Sequence, residues 1–201
     1  MAYLLVILIG YLLGSVPFAL VIGKVFYKTD IRQFGSKNLG GGNAGRVLGK
    51  KAGVAVMTLD ILKVTLAIFL ASLFGQGEGL MIIAGLSAAL GHCFPVFAKF
   101  KGGKAVATMY GFLFGMAIVG GYGLQIFLFP LAVFLIVLYI GKIISISSII
   151  SAAAVTIFVY MTTGSVPMLI ALVIFTVLII VRHKKNIIRM INHEENKISW
   201  M

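Results

Sequence analysis

The sequence predicts an all-α polytopic membrane helix bundle of about seven transmembrane helices. Three observations carry that prediction. Hydrophobic residues make up 61% of the 201 and charged residues 11%, the mean hydropathy is +1.12, and the charge sits in short stretches between long apolar runs. A soluble domain is about half apolar and about one quarter charged, so that class is excluded. Spanning helices need roughly 20 apolar residues each, which leaves room for about five to seven of them and no separate soluble domain. Residues 1–201 are therefore read as a single membrane domain.

The first apolar run covers residues 3–23 and is interrupted by Gly14-Ser15-Val16-Pro17, where the proline predicts a kink. No basic region precedes it, so it is expected to be retained as a span, not cleaved as a signal peptide. Residues 24–51 turn polar, basic and glycine-rich and predict a functional loop. Runs at 52–74 and 80–98 predict the second and third spans, joined by Gly75-Gln76-Gly77-Glu78-Gly79, a turn without a basic residue that should face outside. Lys99, Lys101 and Lys104 precede an apolar stretch to Ile140 that Gly120-Gly121 divides into two helices, the first rather short. Gly141-Lys142 marks a return to the basic side, and residues 143–161 form the next span. An uncharged turn at 162–167 leads to the last span at 168–181, and the tail from Arg182 to Met201 reads as polar and amphipathic.

This arrangement puts the N-terminus outside and the C-terminus in the cytoplasm, with every basic residue except Lys63 on one side. A five-span version, with parts of 104–140 re-entrant, is the alternative. The net charge of +12 would suggest nucleic acid in a soluble protein, but clusters beside apolar runs instead fit cytoplasmic loops facing anionic lipid, so no nucleic-acid partner is expected. Cys93 is the lone cysteine, which excludes an intramolecular disulfide, and the scattered histidines and acidic residues predict no metal site.

Three polar segments can carry chemistry. Gly35-Ser36-Lys37-Asn38-Leu39-Gly40-Gly41-Gly42-Asn43-Ala44-Gly45-Arg46 lacks the P-loop pattern, and reads either as a phosphate nest of another kind or as a flexible linker. Gly91-His92-Cys93-Phe94-Pro95, followed by Lys101-Gly102-Gly103-Lys104, sets a histidine and lysines near a Gly-Gly pair whose backbone can approach an oxyanion. In His183-Lys184-Lys185-Asn186-Ile187-Ile188-Arg189, a helix would bring His183, Asn186 and Arg189 to one face, and Ser145 and Ser148 belong to the same side of the membrane. Asp60 and Lys63 lie three apart inside the second run and predict an ion pair, serving either helix packing or the substrate head group. No Gly-x-Ser-x-Gly elbow and no His-x-x-x-x-Asp pair occurs, so a covalent intermediate is not expected.

Together these segments, with Gly14-Ser15-Val16-Pro17-Phe18 and Glu195-x-Lys197, resemble the PlsY-type acyl-phosphate:glycerol-3-phosphate acyltransferases over essentially the whole chain. The segment from Gly91 to Thr108 is the most specific, departing at Ala105 where the family usually has glycine. In the first loop, Lys37, Gly41 and Gly42 stand where the family has glycine, alanine and threonine, and in the tail His193 stands in place of glycine. The resemblance implies a bacterial multi-pass membrane enzyme, its active site on the cytoplasmic side, that moves a fatty acyl group from acyl phosphate to the 1-hydroxyl of glycerol 3-phosphate. The products are lysophosphatidic acid and phosphate, no cofactor is needed, and the partners are the two substrates and membrane lipids. It assigns catalytic roles to His92, Lys104, His183 and Asn186. Substrate binding falls to Ser36, Asn38, Gly40, Asn43, Arg46, Lys101, Gly102, Gly103, Ser145 and Arg189. The competing readings are a small transporter or permease subunit for an anionic metabolite, and a lipid-binding scaffold.

Overall fold

The computed structural model describes residues 1–75 and 77–198, and every regular element among them is helical. Gln76 of the outward turn and residues 199–201 of the tail lie outside the described residues. Helix α1 (Ala2–Ser15) stops at Val16, which is extended, and α2 (Phe18–Tyr27) restarts after Pro17. Proline lacks an N–H and disfavours helical backbone in the residue before it, so the interruption is a complete break, stronger than the kink predicted.

The glycine-rich loop is more ordered than its composition predicts. Asp30 caps a short 3-10 turn at Ile31–Gln33, and α3 (Gly41–Leu48) is built from the Gly-Gly-Asn-Ala-Gly sequence itself. Its glycines are used for close packing. A Cβ on Gly41 would overlap Met57, and one on Gly53 would lie 2.7 Å from the Gly45 Cα, so α3 seats directly on α4 (Lys50–Ser72). The flexible-linker reading is thereby corrected.

Helix α5 (Glu78–Cys93) lies against α1 at backbone distance, because Gly14 faces the Ala88 carbonyl and Gly91 faces the Tyr11 carbonyl with no room for side chains. A second 3-10 turn, Val96–Ala98, leads to α6 (Val106–Ile118), and the predicted turn near Gly120-Gly121 separates it from α7 (Gln125–Gly141). Helices α8 (Ile144–Thr163) and α9 (Val166–Arg182) follow, and the amphipathic α10 (Lys184–Ile191) is bent by 59° from α9.

The core joins α4, α5, α6, α8 and α9 around Ile68, Met109, Phe112, Leu172 and Phe175, with the Phe112 and Phe175 rings 5.1 Å apart. Tyr110 Oη and Ser151 Oγ both donate to the Pro130 carbonyl, tying α6 and α8 to α7. At the opposite end from the basic loops, Glu78 accepts from Tyr122 Oη at 2.5 Å and Ser165 Oγ at 2.8 Å. Among the described residues four stretches are long and apolar enough to cross a membrane: Ala2–Tyr27 across its break, Lys50–Ser72, Glu78–Ala98 and Ile144–Thr163. The bent pair α9–α10 makes a fifth, while α6 and α7 are shorter apolar helices. The chain is thus an all-helical, multi-pass membrane protein.

Candidate active site

Four segments distant in sequence meet at Lys104. Its Nζ donates to Asn186 Oδ1 at 2.5 Å, Asn186 Nδ2 donates to Glu195 Oε1 at 2.6 Å, and Ser145 Oγ donates to the same oxygen at 2.5 Å. The tail reaches this point because the chain turns back after α10, where Ile198 N–H donates to the Lys142 carbonyl. Arg46, Arg182 and Arg189 approach closely enough to act on the Lys104 charge. Burial pushes the Lys104 ammonium down to about 8; Glu195 opposes that fall and the three arginines add to it. A half-buried cation among arginines, with one carboxylate partly balancing it, is arranged to receive a further anion.

His183 closes the other side of the network. Its Nδ1 lies 2.8 Å from the Ile179 carbonyl, which can only accept, so Nδ1 carries the proton and Nε2 is left as an acceptor. Burial first and the nearby Lys104 second push this imidazole down to about 4. His183 is therefore a weak base at neutral pH.

Of the two N–H groups in the Gly102-Gly103 turn, that of Gly103 is spent within the chain. Gly103 N–H donates to the His92 carbonyl at 3.0 Å, so it is already committed and does not offer itself to an oxyanion. The two glycine carbonyls accept from Arg182, Gly103 from Nε and Gly102 from a terminal nitrogen, each at 2.9 Å. A Cβ on Gly103 would fall on the His92 ring, so only glycine permits this approach. His92 lies beneath the turn, and its Nδ1 is 3.1 Å from Lys63 Nζ, which pairs with Asp60 at 2.7 Å. The predicted ion pair is present and belongs to the same assembly as His92.

Asn43 is likewise spent on structure. It is buried, its Oδ1 accepts from Ser36 N–H at 2.8 Å, and its Nδ2 donates to the Ile31 and Phe34 carbonyls. It shapes the loop that carries Ser36, Asn38 and Gly40, and has no free group for a ligand. Lys101 is exposed, on the far side of the Gly102-Gly103 pair from Lys104 in sequence. Two participants were not singled out from the sequence. The sequence places Arg182 only at the start of the polar tail; its position beside the Gly102-Gly103 turn is set by the end of α9, which the 59° bend separates from the helix that carries Asn186 and Arg189. Glu195 figured as part of a motif and not as the acceptor that joins α8 to α10. Among the described residues no three His, Cys, Asp or Glu side chains gather as a metal site requires.

The family model described as glycerol-3-phosphate acyltransferase matches residues 4–193. The chain belongs to the glycerol-3-phosphate acyltransferase family. It is 43% identical to the glycerol-3-phosphate acyltransferase of Geobacillus kaustophilus, over 98% of this chain and 96% of that one. It is 42% identical to that of Enterococcus faecalis, over 100% of this chain and 94% of the relative. Crystal structures of PlsY, an integral membrane glycerol 3-phosphate acyltransferase, superpose with TM-scores of 0.90 for its glycerol 3-phosphate form and 0.88 for its lysophosphatidic acid form. Both are 34% identical to this chain, covering 99% of it and 96% of PlsY. Membership of an acyltransferase family displaces the transporter and scaffold readings.

The three positions where glycine of the family pattern is replaced share one backbone feature. Lys37, Ala105 and His193 all adopt left-handed backbone, with φ of 59°, 63° and 60°. Each of the three thus holds a conformation that favours glycine. Gly42, which stands in place of threonine, opens onto free space, whereas Gly41, in place of alanine, is closed in by Met57.

Proposed function

We propose that this protein transfers a fatty acyl group from acyl phosphate to the 1-hydroxyl of glycerol 3-phosphate at the Lys104 network, on the cytoplasmic face of the membrane. The observation that carries the reading is the hydrogen-bonded chain from Lys104 through Asn186 and Glu195 to Ser145, with Arg182 bonded to the Gly102-Gly103 turn beside it and the charges of Arg46 and Arg189 near enough to act on the Lys104 ammonium. Both substrates carry phosphate, and this cluster has the charge to hold such groups. The first N–H groups of α3, which no side chain caps, supply further donors on the segment that carries Arg46. In this reading seven spans cross the membrane, α1–α2, α4, α5, α6, α7, α8 and α9, with the N-terminus outside. The grouping of basic residues supports it.

The acyl chain takes the apolar groove of about 500 Å³ that runs along α4 from Leu59 to Phe69 and is lined by Phe18 and Ile118, with Lys63 as its one charged lining residue. Acyl phosphate is already activated, so the protein needs chiefly to align hydroxyl oxygen with carbonyl carbon and to stabilise the oxyanion. The hydroxyl oxygen attacks the carbonyl carbon, the bond from that carbon to the phosphate oxygen breaks, and phosphate leaves. With His183 pushed down to about 4, the protein offers a poor base. The phosphate of the acyl phosphate accepts the hydroxyl proton as the carbon–oxygen bond to it breaks, and departs with that proton.

The test supplies purified protein with labelled glycerol 3-phosphate and, in separate reactions, palmitoyl phosphate, palmitoyl-CoA and palmitoyl acyl carrier protein. Lysophosphatidate is expected from palmitoyl phosphate alone. Formation from either thioester at a comparable rate, or none from the acyl phosphate, would refute the proposal.

A further inference from the structure

A buried trio lies outside the Lys104 network, at the level of the α1–α2 break. Lys63 Nζ is 2.7 Å from Asp60 Oδ1, 2.9 Å from the Val16 carbonyl and 3.1 Å from His92 Nδ1. Asp60, Lys63 and His92 are 1%, 5% and 6% exposed, so water does not share these contacts to any extent. An ammonium group has three N–H donors and no acceptor. Lys63 Nζ donates to the Val16 carbonyl and faces His92 Nδ1 within hydrogen-bond distance, while its contact with Asp60 is an ion pair that leaves Asp60 Oδ1 without a hydrogen bond; because an ammonium cannot accept, His92 Nδ1 is the accepting nitrogen. Asp60 Oδ1 is 3.5 Å from Nδ1, too long to draw a proton there against the ammonium. The His92 proton resides on Nε2, the atom that lies against Gly103.

Charge inside a membrane span is costly, and a hydrocarbon pair would pack α4 against α5 at lower cost. The trio is better explained by what it does to the ring. We propose that Lys63, held by Asp60 and by the Val16 carbonyl freed at the helix break, is a positioning residue that fixes His92 with its proton on Nε2 beneath the Gly102-Gly103 turn. His92 is thereby a hydrogen-bond donor and a floor for the turn whose other end is Lys104, and it is barred from acting as the base. This rests on the acyl-transfer reading of the site, and it extends that reading to two residues buried in the bilayer.

The test combines spectroscopy with kinetics on the full-length protein, labelled with nitrogen-15 at histidine and purified in detergent. His92 is assigned by the signals that persist in H183Q and H193Q. In the wild type, His92 should show a protonated Nε2 and an unprotonated, hydrogen-bonded Nδ1. In D60N/K63M, which removes both charges together and leaves none unpaired, the ring should become a mixture of tautomers. With it, kcat should fall about 10- to 100-fold with KM for glycerol 3-phosphate nearly unchanged, as misalignment predicts. A wild-type His92 protonated at Nδ1 would overturn the proposal, even if the double variant does not fold. So would an unchanged tautomer in D60N/K63M, or a changed tautomer with wild-type kcat. Absence of acyl transfer by the wild type would overturn the underlying reading of the site, while the spectrum still decides the role of Lys63.

Discussion

Raising the pH should switch off Lys104 well before an ordinary lysine would lose its proton. Its ammonium is pushed down to about 8 by burial, with Arg46, Arg189 and Arg182 adding to the fall and Glu195 resisting it. Because burial disfavours the charged form of a cation, the shift is downward, and the phosphate-binding form is the one present below the shifted value. With a midpoint near 8, the cationic fraction of the free enzyme is about nine tenths at pH 7 and about one tenth at pH 9, and kcat/KM reports the free enzyme. The assay is kcat/KM for glycerol 3-phosphate between pH 6.5 and 10, followed by lysophosphatidate release. It should decline about tenfold per pH unit above roughly 8. Glu195→Gln removes the carboxylate that supports the charge, so the inflection should move to lower pH. A flat profile to pH 10, or an inflection that Glu195→Gln leaves in place, would refute the assignment.

Further expectations concern the scaffold around that lysine. Gly103→Ala places a methyl against the His92 ring and should cost about 1–3 kcal/mol of stability or a comparable loss of transition-state stabilisation, read by thermal unfolding and by kcat. Asn43→Ala leaves the Ser36 N–H without its acceptor and the Ile31 carbonyl with its Phe34 N–H donor alone, so it should destabilise by about 1–3 kcal/mol and raise hydrogen exchange in the 31–43 segment. Lys37→Gly and His193→Gly relieve left-handed backbone at exposed positions. The relief of about 1–2 kcal/mol exceeds the entropic cost of glycine, about 0.5–1 kcal/mol, and both variants should melt at higher temperature than the wild type.

Much of the fold was legible in the sequence because it rests on local composition. The apolar runs, the turn at Gly120-Gly121 and the amphipathic tail follow from hydropathy and glycine chemistry, whereas Pro17 makes a full break where a kink was expected and the 59° bend after Arg182 has no proline or glycine to announce it. The helix α3 was not legible, since five glycines in twelve residues oppose a helix by propensity. Packing decides that segment: the missing side chains let α3 sit on α4 at Gly45 and Gly53. Of the candidate site, Lys104, Asn186, Ser145 and Arg46 come together as expected, because each lies in a polar segment on the same side of the bundle. Gly103 and Asn43 proved to be spent internally, and Lys63 proved to hold His92. Those facts depend on contacts between residues 7 to 29 positions apart, which spacing along one helix cannot reveal. The left-handed backbone at Lys37, Ala105 and His193 was foreshadowed by the departures from glycine, although no local signal in the chain itself marks them.

The most direct measurement of the central claim is saturation kinetics for glycerol 3-phosphate with palmitoyl phosphate as donor, comparing the wild type with Lys104→Ala after thermal unfolding has shown both to be folded. Loss of a charge-assisted contact to phosphate corresponds to about 1.5–3 kcal/mol, so kcat/KM should fall between about 10-fold and about 150-fold. A Lys104→Ala enzyme within about twofold of the wild type, a change of less than about 0.5 kcal/mol, would contradict the placement of the anion site at Lys104.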